Sequence, residues 1–207
     1  MNEEKVVNLL KNELLFSDSS IDKLRKFHDE LLIYNKRYNL ISSSTEKDIW
    51  ERHILDSAQI IKYIEFRDDY VCADLGTGAG FPGLIIGIFN QNPSFHVKLY
   101  EKSLVKCNFI ENISNKLKIK ATICRGSYNT HEIDANYVVC RAFKKLPEIL
   151  RISREIIKNP HQLIILKGKN AQEEINKASK DYKYEYRMEK SITDKDSKII
   201  IVKINKK

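Results

Sequence analysis

Residues 72 to 83 read CADLGTGAGFPG: an apolar, strand-like run, an acid at its end, and four glycines within eight positions. Glycine lets a chain turn sharply and lets a ligand approach with no Cβ in the way. Ligands of open parallel sheets bind beyond the carboxyl ends of the strands. The string D-x-G-x-G-x-G over 74–80 is therefore placed to cradle a nucleoside cofactor, with Asp74, Gly76 and Gly78 as its first candidates. Glu101 ends the next apolar run, FHVKLYE, 25 residues after Gly76. A carboxylate there can accept hydrogen bonds from two neighbouring ribose hydroxyls.

The same stretch satisfies G-x-G-x-x-G over 78–83, the dinucleotide fingerprint. The context does not match. The first glycine after the strand is Gly76, and Pro82 favours the first turn of a helix, which places Gly83 inside it. S-adenosylmethionine has no pyrophosphate; it needs backbone room, and acids for its ammonium and ribose. The pattern points to an adenosylmethionine-dependent methyltransferase, with a nicotinamide oxidoreductase as the competing reading.

The elements around the loop follow from its neighbours. Val6, Leu9, Leu10, Leu14 and Leu15 keep a helical spacing, Ser17 to Ser20 offer a break and a cap, and Ile21, Leu24, Phe27, Leu31 and Leu32 resume the spacing. YNLISSST (38–45) is a polar loop. A third helix is expected over about 45–63, with Ile49, Ile54, Ile60, Ile61 and Ile64 on its apolar side. From residue 70, short apolar runs alternate with helical stretches. Strands are expected near 70–75, 95–100, 119–124, 136–141 and 162–167, and helices over 82–90, 103–117, 145–158 and 170–180. Such alternation gives right-handed βαβ units and a parallel sheet. The runs 182–190 and 198–204 form an antiparallel hairpin. The expected fold is α/β: a Rossmann-like class I methyltransferase with a mostly parallel seven-stranded sheet ending in that hairpin. Residues 1–65 form an N-terminal helical extension and 66–207 one compact cofactor-binding domain.

The chain has 207 residues, 42% of them hydrophobic, and a net charge of +8. Residues 141–207 hold 18 Lys and Arg against 9 Asp and Glu, while 1–140 hold 18 against 19. A basic segment of this kind can neutralise phosphates, although a chain rich in Lys, Asn and Ile also acquires charge by composition alone. No apolar run reaches the roughly 20 residues that span a bilayer, and the N-terminus carries acids and no cleavage site. The four cysteines, Cys72, Cys107, Cys124 and Cys140, form no C-x-x-C pair. Neither a metal nor a disulfide framework is expected, and a cytoplasmic setting fits.

Five motifs in order resemble those of the bacterial RsmG (GidB) methyltransferases: YNLIS (38–42), RHILDS (52–57), DLGTGAGFPG (74–83), CRAF (140–143) and LKG (166–168). The resemblance implies methylation of guanine N7 in 16S ribosomal RNA, at the position equivalent to G527, on free RNA or a small-subunit precursor. It implies S-adenosylmethionine held by Gly76, Phe81, the Tyr128-Asn129 pair and Arg141, with Asp74, Gly78 and Glu101 completing the cradle. Two positions depart from the family pattern after the second strand: Glu101 replaces an aspartate, and Val105 replaces a cation.

Guanine N7 has an in-plane lone pair and no proton, so no general base is required; alignment of the reacting atoms would carry the rate. Purine-side candidates are Asn39, Arg52, His53, Asp56, Arg141 and Lys167. His53 is open between an RNA contact and a structural histidine bonded to Asp56. Arg52 is open between a phosphate contact and an idle surface arginine. Trp50, the single tryptophan, reads as packing. Lys144, Lys145, Arg151 and Arg154 could form a phosphate track. A methyltransferase for a small molecule or a protein, and an RNA-binding module without cofactor, are the remaining alternatives.

Overall fold

The computed structural model of the chain describes residues 1–181 and 185–205. Asn2 accepts the Lys5 N–H at 3.2 Å and starts α1 (Glu3–Asn12), which buries Val6 and Leu10. Ser17 accepts the Ser20 N–H at 3.1 Å and starts α2 (Asp18–Tyr38), whose buried side carries Ile21, Leu24, Phe27 and Leu31. Leu15 departs from the expected apolar face: α1 ends before it, and it is 75% exposed in a left-handed turn.

The single helix expected over 45–63 is instead a composite. A 3-10 helix (Ser43–Asp48) leads into a π-helix (Trp50–Leu55), a short α3 (Asp56–Ala58) and a second 3-10 helix (Gln59–Tyr63). Ile49, Ile54, Ile60 and Ile61 are all buried, as the expected apolar side required, but spacing alone does not reveal the change of helix type. The turn is wider around 50–55, where the Asp56 N–H bonds the Glu51 carbonyl five residues back.

Among the described residues the sheet has seven strands, β1 (Val71–Leu75), β2 (His96–Glu101), β3 (Thr122–Arg125), β4 (Tyr137–Arg141), β5 (His161–Lys167), β6 (Tyr186–Lys190) and β7 (Lys198–Ile204), in the order β3-β2-β1-β4-β5-β7-β6. The first five are parallel; β7 runs antiparallel to both β5 and β6. This is the doubly wound sheet with closing hairpin that the alternation implied. Residues 182–184 of the expected hairpin lie outside the described residues. The third strand starts later than expected, because Ile119 belongs to the end of the preceding helix, where its N–H bonds the Ser114 carbonyl at 2.8 Å.

The crossover helices are α4 (Gly83–Phe89), α5 (Leu104–Leu117), α6 (Leu146–Ile156) and α7 (Ala171–Asp181). Strand residues alternate between two apolar clusters: Val139, Ile164 and Leu166 face one, Val138, Leu163 and Ile165 the other. The N-terminal helices share the first cluster with α4 and α5, and Phe27 packs on Phe81 at 5.3 Å. The second is covered by α6 and α7. Strand order reverses beside β1, between β2 and β4, and there the carboxyl ends open a crevice. Among the described residues no helix is long and apolar enough to cross a membrane.

Candidate functional site

The glycine loop is tied down by backbone hydrogen bonds. Gly76 and Thr77 both donate to the Tyr100 carbonyl, at 2.9 and 3.1 Å, so the turn after β1 is stitched to β2. Glu101 is 8% exposed and continues the stitching: Oε2 accepts the Gly78 N–H at 3.0 Å and Oε1 the Ser103 N–H at 2.8 Å. Each oxygen keeps a second lone pair. Gly76 has φ +71°, and a Cβ there would lie 2.6 Å from the Phe143 ring. Beside this loop lies a cavity of about 300 Å³, lined by Gly76, Tyr100, Glu101, Ser127, Tyr128 and Phe143 among others.

Asp74 is fully buried behind that cavity. Its Oδ2 accepts the Gly83 N–H at 2.7 Å, at the start of α4, and Oδ1 accepts no hydrogen bond. Burial pushes its pKa up to about 7, against the pull of the nearby Thr77 hydroxyl, the Gly83 N–H and the Arg141 charge. A Cβ on Gly83 would sit 2.2 Å from Leu99 and 2.7 Å from Asp74 Oδ2, so only glycine lets this acid close the loop. Asp74 ties the start of α4 to the end of β1 and is not among the residues that line the small cavity.

A larger cavity, about 840 Å³, adjoins the first, with Phe143 and Lys144 lining both. Arg52, His53, Asp56, Arg141 and Lys167 come together in it, although they are spread over more than a hundred positions in the sequence. The loop between β6 and β7 forms one wall. Thr193 donates to Asp56 Oδ1 at 2.9 Å, and Arg52 pairs with Asp194 at 3.3 Å. Lys167 pairs with Glu174 at 2.8 Å and also bonds the Lys144 carbonyl. Cations outnumber acids in this lining: Arg52, Arg141, Lys144, Lys145, Lys167 and Lys198 against Asp56, Glu148, Glu174 and Asp194.

Residues 20–201 match the family model described as GidB, rRNA small subunit methyltransferase G. The chain belongs to the rRNA small subunit methyltransferase G family. A relative of that name from Pelagibacter ubique is 34% identical over 204 residues, covering 96% of this chain and 95% of its own. Another from Rickettsia felis is 36% identical over 182 residues, covering 88% and 92%. Among solved structures, a SAM-dependent methyltransferase from Aquifex aeolicus superposes with a TM-score of 0.60 at 14% identity, covering 82% of this chain and 97% of that one. An RNA methyltransferase from Salinibacter ruber, solved with S-adenosyl-L-homocysteine, gives 0.55 at 11% identity over 73% and 91%. The sheet is thus the methyltransferase version of the doubly wound fold.

In this member of the methyltransferase G family, the residues implied by the resemblance separate into groups. Gly76, Glu101 and Tyr128 line the small cavity, and Gly78 is locked to Glu101. Asn129 follows Tyr128 in an exposed 3-10 turn (Tyr128–Thr130) and does not line the cavity. Phe81 is 3% exposed and packs on His53 at 5.1 Å, so it supports the site from behind. Arg141 opens onto the large cavity rather than the small one. Asn39 lines neither cavity; it ends α2 in a left-handed conformation, its N–H on the Asn35 carbonyl at 3.2 Å. His53 is not bonded to Asp56: its nitrogens meet Thr45 and Arg141. Arg52 is paired with Asp194 rather than idle. Trp50 is 7% exposed and stacks on His28 at 5.6 Å, which is packing.

The sequence reading missed Phe143, Thr45 and Thr193 as site residues. Phe143 stood inside the quoted CRAF motif and was recoverable. Thr193 read only as a turn residue, and nothing local to the sequence ties it to Asp56.

Proposed function

We propose that the protein transfers a methyl group from S-adenosylmethionine to guanine N7 of 16S ribosomal RNA, at the position equivalent to G527. The observation that carries this reading is the pair of adjoining cavities with Phe143 as common wall: one built of glycine backbone and Glu101, the other lined by cations. When bound, the cofactor would supply an electrophilic methyl on a positively charged sulfur. The donor set fits it. Glu101 can accept ribose hydroxyls with the lone pairs left over from Gly78 and Ser103. Gly76 leaves room that a side chain would fill, and Tyr128 adds an aromatic wall edge-on to Phe143 at 5.3 Å.

The large cavity suits an RNA segment. Its cations can meet phosphates, and Phe143 offers a ring face on which a purine can stack. No residue has to remove a proton, because N7 carries none. His53 is consistent with this: both of its nitrogens are engaged, and burial, then the charges of Arg141 and Arg52, lower its pKa to about 3. Rate would come from holding purine and methyl donor in line across the Phe143 wall.

The test is a map of N7-methylguanosine in 16S RNA from cells with and without the protein. The expected result is loss of one modification, at the G527 equivalent, in cells lacking it. An unchanged map would refute the substrate. Methyl transfer by the purified protein to small subunits and to free 16S RNA, compared side by side, identifies the form it acts on.

A further inference from the structure

Arg141 leaves β4 with its guanidinium held on several sides. Nη2 meets His53 Nδ1 at 2.7 Å, and Nη1 donates to the Arg52 carbonyl at 2.8 Å and reaches Asp56 Oδ2 at 3.4 Å. The group lies over the Phe81 ring, Cζ 5.1 Å from its centroid, and the side chain is 17% exposed. An arginine has five N–H donors and no acceptor. His53 Nδ1 must therefore accept, and the proton of the neutral ring sits on Nε2. That nitrogen donates to Thr45 Oγ1 at 2.8 Å, and the Thr45 hydroxyl in turn donates to the Ser42 carbonyl at 2.9 Å. Once Arg141 is placed, each donor and acceptor along this line is determined. The line joins the 3-10 helix at 43–48 to the π-helix at 50–55 and to the end of β4.

The line also determines what Arg141 has left. Three hydrogens point at His53, Arg52 and Asp56, and the Nε–H and one Nη2 hydrogen have no protein partner among the described residues. Two free donors on a rigid planar group suit a pair of oxygens, as in a carboxylate or a phosphate. Thr45, His53 and Arg141 all line the large cavity.

We propose that His53 and Thr45 are positioning residues, fixing the Arg141 guanidinium so that its two free donors grip an anionic oxygen pair of a ligand. This rests on the methyltransferase reading above. The oxygen pair comes either from the carboxylate of the cofactor or from an RNA phosphate; the chemistry is the same, and the assay separates them.

The experiment compares the full-length protein with the variants H53A, H53N and T45V. Calorimetry with S-adenosylmethionine gives the cofactor Kd, methyl transfer to small subunits gives KM and kcat, and thermal melting checks folding. H53A raises either the cofactor Kd or the RNA KM by about tenfold, with kcat nearly unchanged, since one hydrogen bond to a charged group is lost. H53N keeps an acceptor near the Nδ1 position and recovers most of that change. T45V moves the same parameter by about threefold and adds nothing to H53A, because both act on one line. A shifted Kd identifies the carboxylate and a shifted KM the phosphate, and either supports the proposal. A folded H53A with both parameters unchanged, or an H53N as impaired as H53A, overturns it. Should H53A fail to fold, T45V decides alone: unchanged Kd and KM in that variant overturn the proposal. If the wild-type protein neither binds S-adenosylmethionine nor methylates RNA, the underlying reading has failed, and wild-type calorimetry shows this before any variant is compared.

Discussion

The 300 Å³ cavity sits beside a loop braced by main-chain bonds: Gly76 and Thr77 bonded to Tyr100, Gly78 and Ser103 bonded to Glu101, each at the carboxyl end of a parallel strand. In the 840 Å³ cavity the work falls to side chains from five separate segments, represented by Thr45, Asp56, Arg141, Lys167 and Thr193. The contrast has a mechanical meaning. A site whose walls are backbone has little freedom to relax, so one added methyl group is felt at full strength. A site made of long, partly exposed side chains has redundant contacts, and single losses are graded. The small cavity should break sharply, the large one by degrees.

The sharpest break is expected at Gly76. Alanine there pays about 1–2 kcal/mol for a positive φ, and its Cβ must also push the Phe143 ring from 2.6 Å. G76A should bind S-adenosylmethionine about 100-fold more weakly or worse while still melting cooperatively. Calorimetry beside a thermal scan checks both halves. A Kd within threefold of wild type would mean that the loop backbone is not the wall of the cofactor site.

This difference in construction also explains what the sequence reveals. The glycine loop, Asp74 and Glu101 are legible because their spacing is local and their meaning follows from strand ends and backbone freedom. The strands of the parallel sheet are legible because they are buried on both faces and so read as short apolar runs between helical stretches, as at Val138, Val139 and Cys140. The composite helix was not legible, since its isoleucines fit an ordinary helical face and nothing in their spacing marks the change to 3-10 and π turns. Thr193 was not legible either: it lies 137 positions from Asp56, and only the register of β7 against β5 brings the two together. For Asp74, spacing shows that the loop carries an acid but cannot tell that one of its oxygens closes the loop under Gly83.

Asp74 under the glycine loop and His53 in the large cavity are both buried, and the two should pull stability in opposite directions with pH. Asp74 has its pKa raised from 3.8 to about 7 by burial. Between those values the folded protein holds a proton that the unfolded chain has released, so the Asp74 contribution to stability grows as pH falls from 7 towards 4. His53 has its pKa lowered from 6.5 to about 3, chiefly by burial. Over that interval the unfolded chain holds the extra proton, so the His53 contribution shrinks as pH falls. At about 1.4 kcal/mol per pH unit, each changes by about 2 kcal/mol between pH 7 and 5, with opposite sign. Urea unfolding at the two pH values should show D74N losing about 2 kcal/mol relative to wild type on going from pH 7 to 5, and H53N gaining about as much. Parallel profiles for the three proteins would remove the distinction between the two groups.

A graded response is expected at Lys167. Its side chain is 12% exposed and its ammonium pairs with Glu174, whose Oε2 also accepts the Leu146 N–H at 2.6 Å at the start of α6. K167M removes the cation but leaves the helix start bonded, so folding should survive. The RNA KM should rise about tenfold, the worth of one charge contact, with the cofactor Kd unchanged. If the Kd rises equally, the two cavities do not act as separate sites, and the comparison has to be redrawn with Phe143 and Lys144 as part of both.

The smallest effect should come from Thr193, and the reason is redundancy. Its hydroxyl bonds Asp56 at 2.9 Å, but the same loop is also held by Gln59, which accepts the Ile192 N–H at 2.9 Å and donates to Ser191 at 3.1 Å. T193V deletes one of these three tethers, and the Arg52–Asp194 pair adds a fourth, so stability should fall by about 1 kcal/mol and the RNA KM rise about twofold. Gln59 is fully buried, and Q59L deletes the other two tethers while leaving the Ser191 hydroxyl its bond to Thr193 at 2.9 Å. In the double variant Ser191 keeps only the Thr193 N–H at 3.2 Å, and the exposed Arg52–Asp194 pair alone still ties the loop to the helix, so its loss in RNA KM should exceed the sum of the single losses. Strict additivity would show that the Thr193 and Gln59 bonds act independently and that the Arg52–Asp194 pair is enough to hold this wall of the large cavity.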